Sequence, residues 1–406
     1  QGAPDFTAWQ VPPSNDKPPI ADHPTIDGCP YDCGLCPNHQ QQACCVLIEL
    51  TNRCNQHCAF CFADSGGKEI DEWTLPELKT LFQRLLERSP QRPFNIQLSG
   101  GEPTLREDLP EIIALAKSLG FPYVQVNTNG RRLAQQPDYA AQLAQAGLDC
   151  VFLQFDGTKD EIYQKLRNEP LLEKKKAAIA QAAAANIGVV LVVTVVPGVN
   201  DDNLGDIVSF TADHLPGVRG IHLQPVSYFG RFPTPPQDEQ RITIPRLLQK
   251  LTEQTAGEME MTDFVPLMTG HARCSFHGNF IALPKGYQGL SQKSASCCDD
   301  HSIEKARNYL AKKWSAAPRS NPVSDSRSFA AAEWDALLEQ LHHRSFSITA
   351  MAFQDVWNID LARLCRCRLH VATRDLRLIP FCAYNLTDQA GRSLYRHQKE
   401  KLVCSQ

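Results

Sequence analysis

The strongest constraint on this 406-residue chain is a set of three cysteines placed directly after one apolar run. Val46-Leu-Ile-Glu-Leu50 has the length and content of a buried strand. Cys54, Cys58 and Cys61 follow it in a C-x3-C-x2-C pattern, on the loop at the strand's C-terminal end. A [4Fe–4S] cluster normally takes four thiolates, so three leave one iron open to a cofactor or substrate. The competing assignment is a structural zinc knuckle, but zinc asks for a closed set of four ligands. Phe60 stands just before the last cysteine and can shield a cluster from solvent.

After Cys61 the chain alternates between strand and helix. A capping box, Thr74-x-x-Glu77, opens a predicted helix to about Leu86. Strands are predicted at Phe94–Leu98, Tyr123–Val126, Cys150–Phe155, Gly188–Val196 and Ile221–Pro225. Helices fill the gaps, at Leu109–Leu119, Pro137–Ala146, Leu171–Asn186 and Leu204–Phe210. With the first run these strands form a parallel α/β sheet, curled by right-handed crossovers.

Ligands collect at the C-terminal ends of such strands, and polar motifs fall there. Gly100 and Gly101 allow close backbone approach, and Glu102 can accept hydrogen bonds from an ammonium group. Asn127 and Asn129, Gln154 and Asp156, and the turn after Val196 end the next strands. The plainer alternatives are an ordinary turn at Asn129-Gly130 and a helix-capping loop at Asp156-Gly157. His222 and Gln224 alternate with apolar neighbours, so they face the interior as ligand contacts or as a core histidine. The run Glu173-Lys-Lys-Lys176 is expected to be a solvated helix face.

Sixteen cysteines, many at metal-ligand spacing, fit metal clusters in a reducing compartment better than a disulfide scaffold. Cys29, Cys33 and Cys36 repeat the C-x3-C-x2-C spacing without a preceding strand. Cys44 (or Cys45) would close a four-thiol site there, holding an auxiliary cluster, a rubredoxin-like iron or zinc, with iron favoured. His39 is expected beside the site, not as a ligand. Later, Cys274, Cys367 and Cys382 suggest another auxiliary cluster, with Cys298, Cys297 or Cys365 as fourth ligand. Buried free thiols are the alternative, and His370 is a further candidate to ligate or to bond a cluster sulfur. The expected division is a Cys-rich extension (1–45), a barrel (46–228) and an auxiliary-cluster domain (229–406). A net charge of −4 argues against nucleic acid as partner. No apolar run reaches ~18 residues and no signal peptide is recognised. A cytoplasmic location is expected, with membrane association only through the substrate.

The stretch from Glu49 through Cys54, Cys58 and Cys61, together with Gly100-Gly101-Glu102, resembles the radical S-adenosylmethionine (SAM) superfamily. The resemblance implies a partial (β/α)6 barrel with SAM chelating the open iron of a [4Fe–4S] cluster. It implies reductive cleavage to a 5′-deoxyadenosyl radical, with electrons from a ferredoxin- or flavodoxin-like reductant. It also implies that Glu102 holds the SAM amino group, and that Asn127, Asn129, Gln154, Asp156 and Val196 contact SAM or substrate. Two flanking stretches, Cys29-Pro-Tyr-Asp-Cys33-Gly-Leu-Cys36 and Arg366-Cys367-Arg-Leu-His370 with Phe381-Cys382-Ala-Tyr-Asn385, resemble a narrower, multi-cluster subfamily. It includes the tetraether lipid synthases and was once described as pterin methylases. That resemblance implies hydrogen abstraction from an unactivated carbon and C–C bond formation on a lipid or small alkyl substrate. Two other readings stand beside it. One is transfer of the 3-amino-3-carboxypropyl group of SAM to a soft nucleophile such as arsenite. The other is a non-enzymatic iron–sulfur electron carrier.

Overall fold

The structure, a computed structural model, describes residues 27–34, 39–66, 72–89, 93–266, 273–290, 302–317, 341–388 and 391–396. Cys36, Cys297 and Cys298 lie outside the described residues.

Six parallel strands pair in chain order: β1 (Cys45–Thr51), β2 (Asn95–Gly100), β3 (Val124–Thr128), β4 (Cys150–Gln154), β5 (Gly188–Val195) and β6 (Val218–Pro225). Their apolar runs follow from burial on both faces, by helices outside and by the cavity within. Helices α1 (Leu75–Arg88), α2 (Leu109–Ser118), α3 (Arg131–Gln135), α4 (Pro137–Gln145), α5 (Asp160–Arg167), α6 (Leu172–Ala184) and α7 (Leu204–Asp213) make the crossovers. α1 starts at the expected capping box and buries Leu78, Leu81, Phe82 and Leu85, a 3.6-residue stripe against the sheet.

The chain then adds α8 (Ile244–Gln254), β7 (Ser275–Ala282), β8 (Tyr287–Gly289), α9 (Ser302–Trp314), β9 (Ser345–Met351), β10 (Leu369–Ala372) and β11 (Leu378–Pro380). These strands extend the same sheet at both edges, in the order β11-β10-β1-β2-β3-β4-β5-β6-β9-β7-β8. β10 joins β1 and β9 joins β6, both parallel, so the parallel core is flanked on each side by late strands. β11, β7 and β8 finish the edges antiparallel. None of these five strands is evident as an apolar run. They are short, or alternate small polar residues with apolar ones, as in Ser345-Phe-Ser-Ile-Thr-Ala-Met351.

Alternating side chains of β1–β6 and β9 line one cavity of about 310 Å³. Its floor is Trp314, at the C-terminus of α9, packed against Phe152 with ring centroids 4.9 Å apart. The indole N–H donates to Ser347 Oγ at 3.1 Å, which satisfies the one polar atom of a buried ring. Gly188 permits this closure: a Cβ there would lie 2.0 Å from the Trp314 carbonyl oxygen. Among the described residues, no helix is long and apolar enough to cross a membrane.

Gly188→Val is therefore expected to displace α9 and to cost about 1–3 kcal/mol, the usual penalty of overpacking. Urea unfolding of the variant beside the wild type measures it, and an unchanged midpoint would show that α9 does not seal the floor.

Candidate functional site

The loop after β1 carries Cys54, Cys58 and Cys61, all half-buried, all lining the cavity and all free thiols. Its backbone is held from two sides. Cys61 and Arg231 exchange N–H···O bonds of 2.9 Å, and Arg231 Nε donates to the Cys58 carbonyl at 3.0 Å. Ala59 N donates to Leu166 O at 3.1 Å. Burial, then Glu102 and the two companion thiols, push the Cys54 thiol up to about 12. A bound cation reverses that ordering, since thiolates are the ligands and metal binding releases their protons.

The Gly100-Gly101-Glu102 turn is stitched to the same loop. Gly101 N donates to Thr51 O at 2.7 Å and Glu102 N to Arg53 O at 2.8 Å. Gly100 has φ +118°, and a Cβ on Gly101 would fall 2.2 Å from the Arg53 carbonyl oxygen. Glu102 is 1 % exposed. Its carboxylate accepts hydrogen bonds from Thr104 N (3.1 Å), Thr104 Oγ1 (2.6 Å), Thr128 Oγ1 (2.7 Å) and Asn129 N (2.7 Å). Glu102 thus faces the cavity and also ties the end of β2 to the end of β3.

The strand-end residues divide into two groups. Asn127, Asn129 and Gln154 line the cavity, whereas Asp156 and Val196 are not among its lining residues. Asn129 Nδ2 donates to Asn55 Oδ1 at 2.7 Å, linking β3 to the cysteine loop. Asn127 accepts from Gln97 at 2.8 Å and donates to Ser99 at 3.2 Å. Asp156 acts through Arg167, which donates to both of its oxygens at 2.7 Å and itself lines the cavity.

Sequence reasoning missed Arg167 and misplaced Lys175. The run Glu173–Lys176 is not wholly a solvated face. Lys175 is 0 % exposed, and its ammonium donates to Asn129 O (2.6 Å) and Gln154 Oε1 (2.8 Å). The signal was available, because Lys175 is in phase with the buried Ala178, Ile179 and Ala182 of α6. Burial lowers the Lys175 pKa to about 7, against the opposing pull of Asp156.

The late cysteines line the same cavity as the three-cysteine loop. Cys274, Cys367 and Cys382 all face the cavity. Burial, then Cys274, push the Cys367 thiol up to about 12, and burial, then Cys367, push up Cys382. Arg363 donates through Nε and Nη2 to Cys274 Sγ, both at 3.3 Å. Of the expected Cys29-Cys33-Cys36-Cys44 set, Cys36 lies outside the described residues. Cys365 stands beside Cys29, whose thiol contact is the largest cause raising the Cys365 pKa. Cys33 and Cys29 pack in one small cluster with Leu364 and Cys382. Cys44 is buried at the foot of β1, near Arg307 and Arg368. Among the described residues, no three His, Cys, Asp or Glu side chains are close enough to share a single ion. His39 and His370 meet through their Nε2 atoms at 3.1 Å, and His39 Nε2 also bonds the Cys367 carbonyl at 2.9 Å.

The chain is similar to several known proteins. The Radical SAM superfamily profile matches residues 48–211. The chain is 34 % identical to the 7,8-dihydro-6-hydroxymethylpterin dimethyltransferase of Methanocaldococcus jannaschii, over 88 % of this chain and 80 % of that protein. It is 30 % identical to the GTP 3′,8-cyclase of Limosilactobacillus fermentum, over 45 % of this chain and about half (54 %) of the cyclase. Among solved structures, Streptococcus suis SuiB bound to S-adenosylmethionine aligns with a TM-score of 0.42 and 13 % identity, over 54 % of this chain and 49 % of SuiB.

Two outcomes test the site. Gly101→Ala is expected to force the turn away from Arg53, lowering bound iron after anaerobic reconstitution and weakening SAM binding about tenfold or more. Wild-type iron content and SAM affinity in that variant would remove the stitch from the account. For Lys175, the unfolded chain keeps its proton up to the ordinary lysine range, while the folded one releases it near 7. Between those limits the unfolded state binds more protons, so stability rises with pH by up to about 1.4 kcal/mol per unit. Lys175→Met is expected to flatten that slope between pH 7 and 9.5 in denaturant unfolding of the cluster-free protein. Equal slopes would mean that Lys175 keeps its charge in the fold.

Proposed function

Because the chain belongs to the radical SAM superfamily, we propose that it cleaves SAM reductively and abstracts a hydrogen atom from an unactivated carbon of a small polar substrate. The observation that carries this reading is that the three-cysteine loop and the Gly-Gly-Glu turn share one backbone ladder and one cavity. The donor set fits a cluster with an open iron: three free thiols at the mouth of a single cavity. When bound, the cluster would supply one electron to SAM, releasing methionine and a 5′-deoxyadenosyl radical.

The chain's own residues would prepare that step. Cys54, Cys58 and Cys61 would hold the cluster. Glu102 would accept from the SAM ammonium, while Arg167, kept in place by Asp156, would face the carboxylate. Asn127, Asn129 and Gln154 would supply neutral hydrogen bonds around the remainder. Trp314 and Phe152 close the floor, and Phe229, Phe353 and Phe381 pack together at the mouth, with centroids 4.5–6.4 Å apart. These aromatic groups would keep water and stray hydrogen donors from a carbon radical. Cys274, Cys367 and Cys382 would hold an auxiliary cluster on the same cavity. A ferredoxin- or flavodoxin-like protein would deliver the electron.

The interior favours a polar heterocycle over a lipid chain. Gln97, Gln125, Asn127, Gln224 and His222 place uncharged donors and acceptors on the lining, as a site for a small hydrogen-bonding ring requires. The name of the methanogen relative, a pterin dimethyltransferase, agrees in substrate chemistry with such a lining.

The test is anaerobic reconstitution with SAM, dithionite and 7,8-dihydro-6-hydroxymethylpterin, with product identification by mass spectrometry. The wild type is expected to yield 5′-deoxyadenosine and Cys54→Ala none. Retained cleavage in Cys54→Ala would sink the cluster assignment, and 5′-methylthioadenosine as the main fragment would indicate aminocarboxypropyl transfer instead.

A further inference from the structure

His222 occupies the middle of β6, and its register partner on β9 is Thr349. His222 Nδ1 lies 2.8 Å from Thr349 Oγ1, and that hydroxyl donates onward to the Ile221 carbonyl at 3.3 Å. A hydroxyl has one proton to give. We assign that proton to Ile221, so that Thr349 Oγ1 receives the Nδ1–H and the opposite nitrogen, Nε2, is an unprotonated acceptor. The ring is held edge-on by Phe152 and Trp314, at centroid distances of 5.6 and 6.3 Å. Burial alone lowers its pKa, to about 4, so it is neutral at physiological pH. The side chain is 7 % exposed, and that exposure is to the cavity it lines.

Nε2 has no hydrogen-bond partner among the described residues. Two neighbours on the lining share this condition: Gln224, two residues further along β6, and Gln125, which is 2 % exposed. All three side chains open onto the cavity, so their hydrogen-bond partners come from what fills it, water or a bound ligand.

We propose that His222 Nε2 accepts a hydrogen bond from a ring N–H or hydroxyl of the substrate, which makes His222 a specificity-determining residue and Thr349 its positioning residue. The inference rests on the polar-heterocycle reading above. An alkyl chain offers no such donor and would leave the acceptor unpaired, so the same atom discriminates against lipid.

The experiment uses the reconstituted, SAM-loaded enzyme and anaerobic equilibrium dialysis of 7,8-dihydro-6-hydroxymethylpterin. His222→Phe keeps the aromatic packing but removes the acceptor. It is expected to weaken pterin binding about ten- to a hundredfold. His222→Gln, which can place an amide oxygen near the Nε2 position, is expected to restore most of the affinity. Thr349→Val leaves the ring but frees its tautomer, and a smaller loss is expected there, which keeps the test alive if His222→Phe does not fold. Equal pterin affinity in His222→Phe and wild type overturns the proposal. Absence of pterin binding in the wild type itself overturns the heterocycle reading and this proposal with it. The two failures are distinguishable, because one is visible before any substitution and the other only in the comparison.

Discussion

The site depends on two backbone hydrogen bonds, Gly101 N to Thr51 O and Glu102 N to Arg53 O. They fasten the exit of β2 to the exit of β1, one residue before Cys54. Neither bond can form if residue 101 carries a side chain, because the Arg53 carbonyl occupies the space a Cβ would need. From this stitch the geometry propagates by short steps. Glu102 turns back to Thr128 and Asn129, and Asn129 reaches Asn55 between the first two cysteines. Three strand ends and one loop thus form a single hydrogen-bonded body, and side-chain positions at the cavity mouth are set by main-chain geometry. Such preorganisation is what electrostatic stabilisation of a charged cofactor requires.

Around that body the structure buries charges that add little to stability on their own. Asp156 and Arg167 form a bidentate pair with almost no exposure, and a buried pair of this kind commonly breaks even against desolvation. Lys175 forms no ion pair with a carboxylate among the described residues. It spends its protons on a carbonyl and an amide oxygen. These are poor choices for a core whose only task is to be stable. They make sense for a cavity wall that must hold Arg167, Asn129 and Gln154 in fixed orientations, with Asp156 and Lys175 placed one layer behind them.

The barrel was legible because its strands are buried on both faces and its helices are amphipathic. The two signals, continuous apolar runs and a 3.6-residue stripe, do not overlap. The cysteine loop and the Gly-Gly-Glu turn were legible because short motifs at strand ends carry their own chemistry. What stayed hidden was long-range. Nothing local in Leu369-His-Val-Ala372 says that it pairs with β1, and nothing near Cys365 says that it will stand beside Cys29. Arg167 looked like an ordinary basic residue in the last turn of a helix, where a cation favours the dipole. Lys175 was hidden by its two flanking lysines, although helical phase singles it out. Asp156 was placed at the right strand end, but its contact with the cavity is indirect, through Arg167.

The flanking of β1 by β10 and of β6 by β9 has a consequence for the order of events during synthesis. Both edges of the six-stranded core are finished by segments made near the end of the chain. Until they emerge from the ribosome, the nascent sheet exposes two rows of unpaired amides and carbonyls, the arrangement that invites strand-to-strand aggregation. Pairings of such sequence separation also make folding slow. The protein therefore has a vulnerable adolescence, in which the three-cysteine loop is already made while the walls that will enclose it are not.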